Sequence, residues 1–202
     1  MSATLYLEGG ASGPDSKDLQ IRCREGFRKL LEKCNFEGRM PRLFACGGRD
    51  SAFDDFKRAL RGSTTGEYSG LLIDSEAPLA DLEATWDHLK SRDKWERPTG
   101  AADDQVLFMT TCMETWIVAD REALQQHYGA ELQESALPPL VNLEERDSHG
   151  IQDSLIRATR RCSNSYVKGK RSYQVLAVLR PDALGNHLPS FARARRILDD
   201  KL

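Results

Sequence analysis

The chain has no apolar run near the roughly 20 residues that a membrane-spanning helix needs, so no membrane span is expected. No basic residue precedes the first strand-like segment, and Met1-Ser2-Ala3-Thr4 does not read as a signal peptide. The cytoplasm is therefore the expected compartment. No Cys-x-x-Cys pair occurs, and five cysteines (Cys23, Cys34, Cys46, Cys112 and Cys162) cannot complete a disulfide framework. Cys23 and Cys34 fall on an apolar helical stripe and read as small core residues. The four histidines, His88, His127, His149 and His187, lack zinc-ligand spacing. Also missing are G-x-x-x-x-G-K-[ST], G-x-G-x-x-G and G-x-S-x-G, which argues against the usual nucleotide-hydrolysing, dinucleotide-binding and serine-hydrolase folds. There is no internal repeat and no low-complexity tract.

What is present is an ordinary globular composition: 202 residues, 40% hydrophobic and 30% charged. That length suits one domain, with a core over about 1–130 and a helical tail over about 137–202. The net charge of −2 is unevenly placed. From Leu155 to Leu202 there are eleven Lys or Arg against three Asp or Glu, so the tail carries +8 and the body −10. Such a pairing suits a phosphate-rich partner met by a carboxylate–metal centre, although a solvated basic helix surface would give the same count.

Thr4–Leu7 is β-prone and stops at Glu8-Gly9-Gly10. A polar loop over Ala11–Lys17 leads to a helix over Asp18–Asn35, where Leu19, Cys23, Phe27, Leu30, Leu31 and Cys34 share a face. Arg42–Cys46 reads as a second strand closed by Gly47-Gly48. A helix then begins at Ser51, with Asp54 as its capping-box partner and Phe53, Phe56 and Leu60 inward. After a polar loop over Gly62–Gly70, Leu71-Leu72-Ile73 is a continuous apolar run, as in a parallel strand buried on both faces. Leu82, Trp86 and Leu89 mark a third helix. Gln105–Thr110 is a fourth strand, and Met113 to about Tyr128 one long helix. Alternating strands and helices predict an α/β fold with a mainly parallel four-stranded sheet flanked by helices. In the tail, Ile151, Leu155 and Ile156 recur at helical spacing, Ser172–Leu179 fits helix or strand, and Ser190–Leu198 is a terminal helix.

Ligands of open parallel sheets sit outside the carboxyl ends of the strands. Glu8 ends the first strand, Asp74 and Glu76 end the third, and Glu114 lies just beyond the fourth. An extended backbone would point Asp74 and Glu76 to one side. Packed together, these carboxylates repel one another, and Mg²⁺ or Mn²⁺ would relieve the repulsion and activate a water. Glu8, Asp74 and Glu76 are the expected metal ligands, with carboxyl groups within about 8 Å of one another. Glu114 is an additional ligand or the group that positions the attacking water. Singly, Glu114 also reads as a helix cap, and Glu8 and Glu76 as solvated loop residues. The basic cluster Lys168, Lys170 and Arg171, following Arg157, Arg160 and Arg161, is read as a phosphate-contacting wall of the cleft or as a solvated loop. Tyr166 beside it reads as a base-stacking or core-edge residue.

The strand ending in Glu8-Gly9, Asp74-x-Glu76 after a buried strand, and Met113-Glu114-Thr115-Trp116-Ile117-Val118-Ala119-Asp120 together resemble the Toprim-like proteins of domain-of-unknown-function family 4276, over roughly Leu5–Leu198. Met-Glu-x-Trp is the most specific part. Toprim domains hold Mg²⁺ with a glutamate after the first strand and an acidic pair after the third, which implies those roles for Glu8 and for Asp74 with Glu76. Two departures stand out: the pair ends in Glu76 where many Toprim sites have aspartate, and no acidic residue follows Glu8 before Asp15. The resemblance implies a nuclease in a bacterial anti-phage defence setting, with nucleic acid as substrate and an ATPase as partner. The alternatives are a non-catalytic Toprim-like subunit that binds the ATPase or nucleic acid, and a small-molecule phosphohydrolase or phosphotransferase.

Overall fold

The computed structural model describes residues 2–10, 16–62 and 66–202. Its centre is a sheet of four parallel strands, β1 (Ser2–Leu7), β2 (Arg42–Ala45), β3 (Glu67–Asp74) and β4 (Val106–Met109), in the order β2-β1-β3-β4. Side chains alternate across it. Leu5 and Leu7 of β1, Leu72 of β3, and Leu107 and Met109 of β4 enter one core, while Leu71 and Ile73, Val106 and Phe108 enter the other. The apolar run Leu71-Leu72-Ile73 of β3 is buried throughout, as expected of a strand covered on both faces.

The second face is covered by α2 (Arg49–Gly62) through Phe53 and Phe56, and by α3 (Thr85–Asp93) through Trp86 and Leu89. The first is covered by α1 (Ser16–Leu31) and by the C-terminal helices. Between that helical layer and the sheet runs α4 (Met113–Ala119), in which all seven residues are buried. A helix enclosed all round is apolar nearly all round, which accounts for Trp116, Ile117 and Val118, and leaves Glu114 as its one ionisable residue, beside the polar Thr115. After it come α5 (Arg121–Tyr128), α6 (Ser148–Thr159), α7 (Lys170–Leu176), α8 (Pro181–His187) and α9 (Pro189–Lys201). The tail is pinned to the sheet by Arg193, 6% exposed, which donates to the carbonyl oxygens of Val106 and Asp103 at 2.9 Å each. Among the described residues, no helix is long and apolar enough to cross a membrane.

Several boundaries differ from the sequence reading. The first helix ends at Leu31 and a wide turn over Glu32–Phe36 follows, in which Asn35 takes φ 68°, a conformation Asn tolerates better than most residues. The second helix starts at Arg49, directly after Gly48, so Ser51 lies inside it and is not its cap. Strand β3 begins at Glu67, not Leu71: Gly70 pairs with Leu5 of β1, and a Cβ there would sit 2.7 Å from the Leu5 Cδ2 methyl. The expected long helix over Met113–Tyr128 is two helices. Asp120 breaks it, capping α5 by accepting from the Ala123 N–H at 3.1 Å while also binding Arg180. The ambiguous Ser172–Leu179 is largely helix α7. The loop residues 11–15 and 63–65 lie outside the described residues.

Candidate metal centre

Strand β1 delivers Glu8 to the carboxyl-terminal edge of the sheet, and the chain then turns on Gly9 (φ 155°) and Gly10 (φ 95°). Glycine is favoured at position 9 on steric grounds: a Cβ would meet the Cys23 Sγ at 2.6 Å and the Tyr173 hydroxyl at 2.8 Å. Its backbone pairs with Gly47, at the end of β2, through two hydrogen bonds of 2.9 Å. The Gly10 N–H donates to the Tyr173 hydroxyl at 2.7 Å, which ties the turn to α7. Strand β3 delivers Asp74 on the same face as Leu72, toward α4, and its Oδ1 accepts the Met113 N–H at 2.8 Å. Glu76 arrives by a route the alternation argument did not foresee. Ser75 and Glu76 extend the pairing, their N–H groups donating to the carbonyls of Met109 and Thr111 at 3.1 and 2.7 Å. Glu76 then takes φ 63°, so the two acids converge through a bend and not along an extended strand.

One carboxylate oxygen from each of Glu8, Asp74 and Glu76 lies within 4.8 Å of the others. They line a cavity of about 240 Å³ together with Glu114, Lys168 and Tyr173, its remaining walls including the bare backbone of Gly9, Gly10, Gly47, Gly48 and Gly169. Asp74 is 8% exposed, and burial, reinforced by Glu8 and Glu114, raises its pKa well above the ordinary value against the opposing pull of Lys168. Burial also raises Glu8, outweighing the Arg49 guanidinium and the Asp74 N–H that favour its charged form. For Lys168 burial lowers the pKa, but the Glu114 and Asp74 carboxylates outweigh it and the net direction is up.

Glu114 borders this cavity without joining the trio. It is fully buried, with Oε1 accepting the Tyr166 hydroxyl and Oε2 accepting Gln152 Nε2 at 3.4 Å. Tyr166 is accordingly a core residue, 4% exposed, not a stacking platform. The basic cluster divides. Lys168 is exposed on the cavity rim, whereas Arg171 turns away to the carbonyl and hydroxyl of Ser165. The Lys170 side chain lies outside the described ones.

Two participants have no signature in the sequence. Arg49, at the start of α2, donates through Nη1 to Glu8 Oε2 at 3.3 Å and to the Asp74 carbonyl oxygen. Asp93 holds its other side, at 3.1 Å from Nε and 2.9 Å from Nη2, and Trp95 lies beneath the guanidinium at 5.1 Å. His88 donates from Nε2 to the Ser75 carbonyl oxygen at 2.9 Å, since a carbonyl can only accept. It thereby steadies the segment between Asp74 and Glu76. The only available hint was Gly47-Gly48 ahead of Arg49, which repeats the strand-end pattern of Glu8-Gly9-Gly10. The cysteines are inert by comparison: burial raises the thiols of Cys23 and Cys112 to about 12.

The fold and this edge define an α/β protein whose parallel sheet gathers acidic residues at its carboxyl end. A model of a domain of unknown function, DUF4276, matches residues 16–198, and the chain belongs to that family. The matched span includes Asp74, Glu76 and Glu114 and begins after Glu8. No curated protein and no solved structure matches the chain.

Proposed function

We propose that this protein is a Mg²⁺- or Mn²⁺-dependent nuclease with a Toprim-like site. The observation that carries the proposal is the convergence of Glu8, Asp74 and Glu76 within 4.8 Å at the ends of two adjacent parallel strands. The donor set fits a hard divalent cation: all oxygen, all carboxylate, with mutual repulsion that a cation removes. When bound, the ion would neutralise charge on a phosphodiester and lower the pKa of a coordinated water.

The chain's own residues supply the rest. Glu8, Asp74 and Glu76 bind the ion, and the N–H groups of Asp74 and Met113 fix the orientation of the Glu8 and Asp74 carboxyl groups. Lys168, exposed at the rim and cationic, meets a phosphate oxygen of the substrate. The glycine walls let a sugar–phosphate backbone approach without a side chain in the way. Glu114, with both oxygens engaged, acts as a fixed buried charge that favours cations nearby and is not itself a ligand. A nucleic acid substrate, an ATPase partner and a role in bacterial anti-phage defence follow from the Toprim-like resemblance and are part of the same proposal. The test is cleavage of labelled single- and double-stranded DNA and RNA with Mg²⁺, Mn²⁺ or EDTA. Metal-dependent cleavage that disappears in Asp74→Asn supports the reading. No difference between wild type and Asp74→Asn in any arm contradicts it.

A further inference from the structure

We infer that Arg49 is a built-in second cation of this site: it fixes Glu8 and restricts the carboxylate trio to a single divalent ion. The inference rests on the proposed metal centre and adds its stoichiometry. Two metals in one site lie about 3.5–4 Å apart, a spacing that a carboxylate with both oxygens free can bridge. Here Glu8 Oε2 already accepts two donors, the Asp74 N–H at 3.1 Å and Arg49 Nη1 at 3.3 Å, which fills both of its lone-pair directions. Only Oε1 remains for an ion. Asp74 has given Oδ1 to the Met113 N–H at 2.8 Å and also lines the cavity. Glu8 cannot bridge while Arg49 stays in place.

Arg49 is built to stay. The Asp93 carboxylate grips it at two nitrogens, at 3.1 and 2.9 Å. Trp95 lies under its plane at 5.1 Å and is itself stacked on Phe53 at 4.0 Å, so the platform is part of the α2 packing. The guanidinium side chain is only 13% exposed. Formal charge leads to the same count. Four carboxylates, Glu8, Asp74, Glu76 and Glu114, face two basic groups, Arg49 and Lys168. Asp93, which also pairs with Arg92, is left out of that count. The deficit of two is what one divalent ion makes good and what two ions would exceed. Arg49 thus acts through Glu8, as a positioning residue, and supplies at a fixed point the positive charge that a second ion would otherwise bring.

The experiment is a Mn²⁺ titration of the full chain, followed by calorimetry and by electron paramagnetic resonance. The expected result is one Mn²⁺ per chain with the spectrum of an isolated ion. Two ions per chain, or the signature of a spin-coupled pair, overturns the inference and leaves the metal centre standing. No binding at all overturns the metal centre, and the inference with it. The variant arm uses Arg49→Met, which keeps bulk and removes charge, and Arg49→Lys, which keeps charge. Arg49→Met should admit a second equivalent of Mn²⁺, and Arg49→Lys should return the count to one. A count of one in folded Arg49→Met overturns the limiting role. If Arg49→Met fails to fold, the wild-type count and spectrum still decide the question.

Discussion

Replacing Tyr166 with Phe removes one hydroxyl from a place that water does not reach. Glu114 is fully buried and Tyr166 is 4% exposed, so the carboxylate would keep only Gln152, at a long 3.4 Å. Burial, and then Glu114 itself, hold the Tyr166 phenol well above its ordinary pKa, which keeps it a donor at any working pH. A hydrogen bond to a charged group contributes about 1.5–3 kcal/mol, and leaving a buried charged acceptor short of a partner tends toward the upper end. For a chain of this length 1 kcal/mol corresponds to a shift of about 2–4 °C, so Tyr166→Phe should melt roughly 3–12 °C lower. Denaturant titration gives the free energy directly. A double-mutant cycle with Glu114→Gln isolates the pair, since the amide accepts more weakly and leaves no stranded charge. The reasoning is refuted if Tyr166→Phe lies within about 0.5 kcal/mol of wild type, the range expected of an unremarkable surface change.

Other expectations follow from the same geometry. The folded-state pKa values of Asp74 and Glu8 are raised above 3.8 and 4.5, so their stabilising contribution is complete below those values and is lost as pH rises through the folded values. Metal-free protein should therefore lose stability from these groups between acid and neutral pH, Asp74→Asn should flatten that loss, and equal slopes in both proteins would sink the argument. Gly9→Ala should cost about 1–3 kcal/mol from overpacking against Cys23 and Tyr173, with part recovered by adding Cys23→Ala, as read from denaturation midpoints. Lys168→Ala should weaken nucleic acid binding and reduce the slope of log affinity against log salt by roughly 0.7–0.9, whereas Arg171→Ala, which removes a tie to Ser165, should leave the slope alone.

Much of the sheet was legible because its strands are short apolar runs stopped by Glu8-Gly9, Gly47-Gly48 and Asp74-x-Glu76, and the helices between them bury regular stripes. The acidic trio was legible for the same reason, since strand ends can be placed from sequence. What escaped notice depends on contacts distant in the chain. Asp120 ends α4, and its partner Arg180 lies 60 residues away. Arg49 reaches Glu8 across 41 residues, and nothing local marks an arginine at a helix start as a partner of the acidic trio. Glu114 looked like a strand-end ligand because it lies just beyond β4, in the first turn of the helix that follows. The tail encloses that helix, which turns the same residue into a buried charge held by Tyr166. Lys168 and Arg171 are three positions apart in a loop and the first turn of α7, where neighbouring side chains diverge, so a compact basic cluster in sequence became one lysine at the cavity and one arginine on its own loop.

Crystals soaked in Mn²⁺ and measured for anomalous scattering test the central claim most directly. The account predicts one strong peak per chain, within coordination distance of Glu8, Asp74 and Glu76, with Arg49 still on Glu8. No peak there, or Mn²⁺ bound only at sites remote from these three carboxylates, would contradict it.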